Sequence, residues 1–262
     1  MQVPIHFTWP EVVSLYLGRR LLDPLAGTDF WRAAQTAFGK VRTMLGETAL
    51  HELDKVSRAF FQTMAGRSDY AEKSNFIYQL MMAIEDRRIT FVAYQSERAT
   101  EPVSHEMYPY GFIFHHGSLY LVAFSRDHDS VRHFKIDRVS GVDVQSLKFT
   151  PPENFNLQLH PTHSFGVYRG DGTPIQIRIR FTPDAARYVQ EKSWHPSQKL
   201  ARERDGSVVL EVQLDHTNEI KSWVLGFGPK VVVIEPEELA EEIRKDLSAM
   251  QSSYSQKKLK PR

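Results

Sequence analysis

Residues 109–139, PYGFIFHHGSLYLVAFSRDHDSVRHFKIDRV, decide the fold of the middle of the chain. Apolar and polar side chains alternate through most of this stretch, which is the period of β-strands and not of helices. His116–Gly117 can form a tight turn within it, because glycine takes the positive φ that such turns often need. Five short strands with tight connections indicate a small, curled antiparallel barrel. The predicted strands are Ile89–Tyr94, Met107–His115, Ser118–Phe124, Ser130–Asp137 and Val142–Phe149.

The residues before these strands have the period of helices. Thr8 and Glu11 have the spacing of a capping box, in which each side chain bonds a backbone amide of the first helical turn. Apolar side chains at steps of three and four predict three further helices, at Phe30–Leu45, His51–Met64 and Lys73–Asp86. We therefore expect a helical region over residues 1–87.

A linker and a second α+β domain follow the predicted barrel. Its turn-forming residues are Pro151, Pro152, Pro161 and Gly170–Gly172. Beyond it the pattern β-α-β-β-α-β, with one more helix, is typical of a ferredoxin-like domain. Its predicted elements are Ile175–Phe181, Thr182–Gln190, Ser197–Glu203, Ser207–Leu214, Thr217–Leu225, Lys230–Ile234 and Pro236–Leu247.

The complete prediction is an α+β chain with a helical region, a barrel domain at 88–168, a ferredoxin-like domain at 174–250 and a tail at 251–262. The tail ends in the basic sequence QKKLKPR, residues 256–262. We expect it to be a disordered end, and the alternative is an arm that binds phosphate.

The composition excludes several classes of protein. The net charge of +1 does not provide the basic surface that grips nucleic acid by bulk charge, so any such contact must come from local clustering. Cysteine is absent, which excludes disulfides and thiolate metal sites. The N-terminus lacks the pattern of a signal peptide, and no stretch approaches the ~20 apolar residues that span a bilayer. We therefore expect a cytoplasmic protein without membrane contact.

Several short motifs, taken in order, resemble the WYL-domain family of transcriptional regulators. The triplet Leu119–Leu121 matches the family's Trp-Tyr-Leu strand with leucine in place of tryptophan, and Arg132–Val139 matches its Arg-x-Phe-x-x-Asp-Arg-Ile strand. Ser164–Gly166 resembles the segment that closes the WYL unit. Trp194 and Gly226 resemble positions of its C-terminal extension.

The resemblance implies an Sm-like or SH3-like barrel that senses a ligand, in several relatives a nucleic acid or nucleotide-like molecule. It also implies a homodimer that switches a DNA-binding element. The helices over 1–87 then resemble the connector that joins a winged helix-turn-helix to the WYL unit. No winged helix-turn-helix is recognisable in this sequence. We therefore expect that the DNA-binding helix-turn-helix was truncated, was lost or lies in another chain.

The strongest candidates for ligand contacts are on the strand that matches the Arg-x-Phe motif. If side chains alternate along it, Arg132, Phe134, Ile136 and Arg138 share one face. Two guanidinium groups beside a phenyl ring suit a phosphate-bearing ligand with a base, since arginine binds phosphate through two hydrogen bonds and rings stack on bases. The alternative is that both arginines are solvated or paired with nearby acids.

Three further residues are candidates for the same pocket. Tyr120 can offer its hydroxyl to a ligand or project to solvent, and His105 can donate a hydrogen bond or simply be exposed. Ser96, two residues after Tyr94, resembles the pocket serine of the family, or is a polar residue at the end of a strand.

The sequence does not favour an enzyme, a metal site or a cofactor. His115, His116, His128 and His133 match no metal-ligand spacing, and GxSxG, P-loop and GxGxxG motifs are absent. We expect a ligand-sensing regulatory module that binds a nucleotide or single-stranded nucleic acid. The alternatives are an Sm-like nucleic-acid-binding accessory protein without transcriptional control and, less favoured, a phosphodiesterase-type enzyme.

Overall fold

The computed structural model describes residues 7–59, 66, 68–97, 99–153, 155–157, 165, 173–215 and 217–256. The chain divides into two compact units, residues 1–152 and 153–262. Helices and two antiparallel sheets make up these units, so the predicted α+β class is confirmed. The further division of the first unit into a helical region and a barrel domain stays a prediction. No helix in the described ranges has the length and apolar character needed to cross a bilayer.

The first unit begins with helices α1 (Trp9–Gly18), α2 (Asp29–Thr43), α3 (Glu47–Ala59) and α4 (Ser74–Asp86). Helix α1 begins where the capping box predicted, and the Glu11 carboxylate accepts hydrogen bonds from the Thr8 amide at 2.6 Å and the Thr8 hydroxyl at 2.7 Å. Helix α3 begins four residues before the predicted start at His51, and residues 60–64 of that prediction lie outside the described residues.

Tyr16 and Arg42 tie the first three helices together. Tyr16 packs with Val12 and Leu53 in a small core of its own. The Arg42 guanidinium donates to the Tyr16 hydroxyl and to the Asp54 carboxylate, both at 2.8 Å. Since these residues come from α1, α2 and α3, the cluster fixes the three helices against one another.

A five-stranded antiparallel sheet follows. Its strands are β1 (Arg88–Tyr94), β2 (Val103–His115), β3 (Ser118–Ser125), β4 (Ser130–Lys135) and β5 (Val139–Lys148). Their order across the sheet is β4-β3-β2-β1-β5, so β4 and β5 are the outer strands. The five predicted strands are therefore confirmed, whereas closure into an Sm-like barrel stays a prediction.

The main core of the first unit lies between one face of this sheet and helix α4. Ile77 and Leu80 of α4 pack there against Val92, Met107 and Leu121, all of which are almost fully buried. The same face carries the aromatic and polar residues described below, so α4 and the candidate site share one side of the sheet.

Two irregularities change which side chains face this core. A β-bulge between Pro109 and Gly111 inserts one extra residue in β2, so Met107 lies on the core face before it and Phe112 after it. The fourth predicted strand also ends early, at Lys135 instead of Asp137. Residues Ile136–Arg138 form a 3₁₀ turn instead, in which Ile136 is completely buried.

The second unit contains a four-stranded antiparallel sheet in the order β7-β8-β6-β9. Its elements are β6 (Ile175–Phe181), α5 (Pro183–Gln190), β7 (Lys199–Arg202), β8 (Val208–Leu214), α6 (Asn218–Leu225), β9 (Val231–Glu235) and α7 (Glu237–Gln256). The predicted order of strands and helices is confirmed. A second core, which includes Phe181, Leu210 and Val224, packs between this sheet and its helices.

The end of the chain differs from the prediction. Helix α7 continues to Gln256, nine residues past the predicted end at Leu247, so residues 251–256 are helical and not part of a disordered tail. Met250 and Tyr254 continue the three- and four-residue steps of the apolar side chains in α7. The polar residues around them hide this helical period in the sequence. Residues 257–262, and the linker positions Pro161 and Gly170–Gly172, lie outside the described residues.

Candidate ligand-binding site

The core face of the first sheet carries a group of rings at the ends of three strands. Tyr94 is the last residue of β1, His105 lies near the start of β2, and Phe134 lies in β4. The register Val92↔His105 and Leu121↔Phe134 puts His105 and Phe134 on the same face as buried core residues. The sequence did not suggest that β1 would contribute an aromatic ring to this place.

The rings contact one another closely. Tyr94 and Phe134 meet edge to face with their ring centroids 5.2 Å apart, and the His105 ring lies 6.4 Å from Phe134. Tyr94 and Phe134 are only 9% and 4% exposed. These two rings therefore form an apolar floor, and Phe134 does not offer the free face that the stacking hypothesis assumed.

Polar groups around His105 form one rim of this floor. The His105 side chain, 16% exposed, is held by the Asp127 carboxylate at 2.6 Å from its Nδ1. The His128 ring lies 5.6 Å from the His105 ring and is fixed by a 2.8 Å hydrogen bond between its Nδ1 and the Ser125 hydroxyl. Each contact orients an imidazole ring by bonding its Nδ1. That bond also determines whether the second ring nitrogen, Nε2, donates or accepts a hydrogen bond.

Arg132 shares the core face with Phe134, as alternation along β4 predicts. It lies directly across from Ala123 of β3, beyond the apolar core, and is half-buried. The Arg132 Nε donates to the Ser130 hydroxyl at 3.2 Å, which leaves a charged group within this end of the sheet. Arg132, Phe134 and His105 are thus brought to one face.

Arg138 reaches this end of the sheet by a different route. Because residues 136–138 form a 3₁₀ turn, the expected alternation from Arg132 to Arg138 is wrong. The turn instead lies against the end of β1, where the Gln95 amide donates to the Arg138 carbonyl at 3.0 Å. The Arg138 guanidinium lies 3.7 Å from the Glu97 carboxylate, and its side chain is 32% exposed.

The remaining two candidates have other surroundings. Tyr120 pairs with Lys135, and its neighbours Leu119 and Leu121 face the core, so Tyr120 lies on the opposite face of the sheet from Phe134. Ser96 follows the end of β1 in an exposed turn, closed by a 3.1 Å bond from the Ala99 amide to the Ser96 carbonyl. Strand alternation from Tyr94 therefore does not fix its direction.

Sequence patterns alone did not identify Tyr94, Asp127 and His128 as members of this group. Tyr94 could have been found, since it follows buried Val92 by two positions in a strand and must share its face. His128 appeared only in a search for metal ligands. In the described part of the chain, no group of three or more His, Cys, Asp or Glu side chains is arranged to hold a metal ion.

This end of the sheet combines an apolar floor, an oriented histidine and a half-buried arginine, with a second arginine on the adjacent turn. Guanidinium groups bind phosphate or carboxylate through paired hydrogen bonds. The His105 ring, whose Nδ1 bonds the Asp127 carboxylate, presents its Nε2 edge and its ring face. The Ser125 hydroxyl, which bonds His128, belongs to a completely buried residue, so it is not placed to attack a substrate. The arrangement suits recognition of an anion that carries a flat apolar group.

Comparison with known domain families finds two matches in the chain. The model of the WYL domain matches residues 75–144, which contain most of α4, the strands β1–β4, the start of β5 and all six candidate residues. The model of the WCX domain matches residues 173–251, which contain β6–β9 and most of α7.

Comparison of the chain with curated proteins and with solved structures finds similar proteins. Protein PafC of Mycobacterium tuberculosis is 25% identical over 253 residues, covering 96% of this chain and 73% of PafC. The solved proteasome accessory factor B/C (PafBC) of Arthrobacter aurescens is 19% identical, with a TM-score of 0.37, over 96% of this chain and 37% of that one. A solved CRISPR Cas-related protein is 16% identical, with a TM-score of 0.50, over 71% of this chain and 53% of that one.

Proposed function

The chain belongs to the WYL-domain family, with a WYL domain followed by a WCX domain, and from this premise we propose that it is the ligand-sensing module of a WYL-type transcriptional regulator. The ligand that we propose carries phosphate and a base, as a nucleotide or a single-stranded nucleic acid does. The second unit is then the C-terminal extension, for which we propose a ferredoxin-like fold because β6 lies between β8 and β9.

One observation carries the proposal: Arg132 and His105 lie on the same face as the Tyr94–Phe134 floor, with Arg138 on the adjoining turn. The half-buried arginines provide charged hydrogen bonds to phosphate oxygens, which are stronger than neutral ones. His105, held by Asp127, adds a polar ring that a base can contact. Ser96 belongs to the proposed site only as a residue at its edge. Tyr120 lies on the opposite face of the sheet.

The Glu97 carboxylate beside Arg138 suggests how a ligand competes for this site. A phosphate that bonds Arg138 replaces a carboxylate only 3.7 Å from the guanidinium, and Glu97 is 77% exposed, so it can leave at low cost. Binding therefore exchanges one anion for another instead of burying an unpaired charge. This makes ligand affinity sensitive to both salt and the charge at position 97.

Control of transcription requires that binding change the population of two states of the regulator. We propose that the chain works as a homodimer and that the bound and free states differ in how they position a helix-turn-helix, attached or in a partner chain, on DNA. This chain spans about three quarters of PafC, so the DNA-reading role of the whole regulator is part of the proposal. We propose no catalytic activity, because the grouped side chains suit binding and not bond cleavage.

Titration of a labelled single-stranded dodecanucleotide and of a nucleotide panel, at two salt concentrations, tests the site. We expect the double variant Arg132→Gln/Arg138→Gln to bind at least ~10-fold more weakly than the original protein, because a hydrogen bond to a charged group contributes about 1.5–3 kcal/mol. The slope of log Kd against log salt should also become smaller, since fewer phosphate contacts remain.

The control is Arg187→Gln/Arg202→Gln in the second unit, which removes the same charge from exposed positions. It should leave affinity unchanged. Equal losses in both double variants would mean that binding follows bulk charge. Binding that survives the replacement of Arg132 and Arg138 in a folded protein would exclude the proposed site.

A further inference from the structure

The hydroxyl of Tyr70 joins two parts of the WYL domain that are distant in sequence. Tyr70 lies in the segment Ser68–Ser74, just before α4, and is completely buried. Its hydroxyl accepts a hydrogen bond from the Leu119 amide at 2.6 Å and donates one to the Asp137 carboxylate at 3.1 Å. Burial raises the pKa of Tyr70 above its ordinary value, so the phenol keeps the proton that it donates.

Asp137 is the middle residue of the 3₁₀ turn that carries Arg138. The turn is held on its other side by the 2.7 Å bond from the Lys73 ammonium group to the Val139 carbonyl. Tyr70 and Lys73 therefore hold the turn immediately before and immediately after Arg138, and both come from the same short segment. The backbone on either side of the guanidinium depends on these two contacts.

The same segment is fastened to the β2–β3 hairpin. The Ser68 amide donates to the Gly117 carbonyl at 3.0 Å, and the Ser68 and Ser118 hydroxyls are 3.2 Å apart. With the Tyr70–Leu119 bond, three consecutive residues of the hairpin are held. The turn with Arg138 is thus positioned relative to β3, the neighbour of the strand that carries Arg132.

The segment also contacts the start of α2. Ala71 packs so closely on Gly27 that a Cβ on that glycine would lie 2.7 Å from the Ala71 side chain. The Ser74 hydroxyl accepts from the Asp29 amide at 3.0 Å, at the first residue of α2. A shift of the segment Ser68–Ser74 would therefore displace both the 3₁₀ turn that carries Arg138 and the start of α2.

We propose that Tyr70 is a positioning residue of the ligand site: its hydroxyl fixes the turn that presents Arg138, and Ser68–Ser74 links that turn to the start of α2. The inference rests on the proposed function for its ligand-binding part. It deepens that function by naming the route through which occupancy of the site reaches the helical region.

The proposal predicts a specific effect of Tyr70→Phe. The variant keeps the ring in the core but leaves the Leu119 amide and the Asp137 carboxylate without this partner, so the turn samples more conformations. If only a fraction of molecules presents Arg138 correctly, apparent affinity falls by that fraction. We expect a loss of ~5- to 10-fold in affinity for the labelled dodecanucleotide.

Hydrogen exchange without any ligand tests the positioning itself. In Tyr70→Phe we expect the amides of Leu119 and of residues 136–139 to exchange about tenfold faster, since local opening becomes easier. Tyr16→Phe is the matched control, because Tyr16 is also buried and its hydroxyl is also bonded. Faster exchange at Leu119 alone, with residues 136–139 unchanged, would overturn the proposal.

A double-mutant cycle tests the link to the ligand. In an Arg138→Gln background, Tyr70→Phe should have no further effect on affinity for the dodecanucleotide, because the group that it positions is gone. Equal losses in both backgrounds would overturn the positioning role. If the original protein binds no probe, the proposed function fails, and the exchange measurement still decides whether Tyr70 holds the turn.

A second variant guards against a general loss of stability in Tyr70→Phe. Asp137→Asn keeps the shape of the acceptor and removes its charge, so it weakens the same bond from the other side. Its effect on the exchange of residues 136–139 should not add to that of Tyr70→Phe. Additive effects would show that the two residues act separately and would contradict the inference.

Discussion

His115 lies at the end of β2, one residue before the hairpin turn, and its imidazole is half-buried beside His116. Burial, and to a smaller degree the neighbouring His116, lower the pKa of His115 from 6.5 to about 4. The folded protein therefore holds this ring neutral at a pH where the unfolded chain already binds a proton. The hairpin that Ser68 and Tyr70 contact is thus sensitive to acid.

This difference predicts a loss of stability between pH 6.5 and about 4. As the pH falls through this range, the unfolded state takes up the proton first, so the free energy of unfolding decreases. The shift corresponds to about 3 kcal/mol for a fully buried group. Partial exposure reduces the expected effect to about 1–2 kcal/mol.

Urea unfolding at several pH values should show that the free energy of unfolding depends less steeply on pH in His115→Phe. The same slope in His115→Phe and the original protein would contradict the assignment, and His116→Asn is the control.

The sequence was sufficient to predict the positions of some individual side chains but not of others. The position of Arg132 on the core face followed from the alternation of side chains along β4, a strand that the structure confirms. The position of Arg138 did not follow, because the chain leaves the strand after Lys135 and residues 136–138 form a 3₁₀ turn. The contacts of Tyr70 had no local signal at all, since its partners lie 49 and 67 residues away.

Among the elements, helix α2 and the loop before it offer a matched pair of glycines. Gly27 has a φ of +84°, and a Cβ there would lie 2.7 Å from Ala71. Gly39 lies inside α2, and a Cβ there would meet no atom within 4 Å. The same change at the two positions should therefore have opposite effects.

We expect Gly27→Ala to lower the free energy of unfolding by about 1–3 kcal/mol, since it combines a strained backbone with a close contact. Gly39→Ala should raise it by about 0.5–1 kcal/mol, because alanine favours the helix interior. Urea denaturation of both variants measures this. Destabilisation of similar size at both positions would mean that the contact with Ala71 is not what restricts Gly27.

Element boundaries were predictable where the local pattern was strong. The strand Ile175–Phe181 was predicted with the bounds that the structure has, because its apolar residues alternate and a Thr-Pro helix start follows directly. The end of α7 was missed because serine and glutamine surround Met250 and Tyr254, which obscures the helical period. Helix α3 begins earlier than predicted, since Glu47 favours a first turn that apolar spacing alone does not reveal.

For the whole molecule, the second unit has a hydrophobic core of its own. Residues 153–262 expressed alone should therefore fold, with cooperative urea unfolding followed by circular dichroism. In this fragment Leu210→Ala should cost about 2–5 kcal/mol, since the side chain is completely buried.

Leu200, the partner of Leu210 across the β7–β8 pair, provides the control. Its side chain is 36% exposed, so Leu200→Ala should cost less than about 1 kcal/mol. A fragment that shows no cooperative transition would mean that the unit depends on the rest of the chain. Equal costs at the two leucines would argue against the core as described.

The order of the strands and helices of both units could be read from the sequence, and so could the family that they belong to. The sequence could not show which side chains meet at the candidate site, because Tyr94, His105, Phe134 and Arg138 come from four segments whose register is set by backbone pairing. Charge patterns did not help, since the 20 arginines are spread along the chain and the overall charge is close to neutral.

The extra residue at Pro109–Gly111 has a consequence for comparing this strand with those of its relatives. On one side of Tyr110 the odd-numbered residues of β2 point inward, and on the other side the even-numbered ones do. A relative without this bulge therefore needs an alignment gap at Tyr110, and an alignment without that gap would exchange the inner and outer residues for the rest of the strand. Phe112 and Phe114 would then be matched with solvent positions, and a preserved interior would look like a divergent surface.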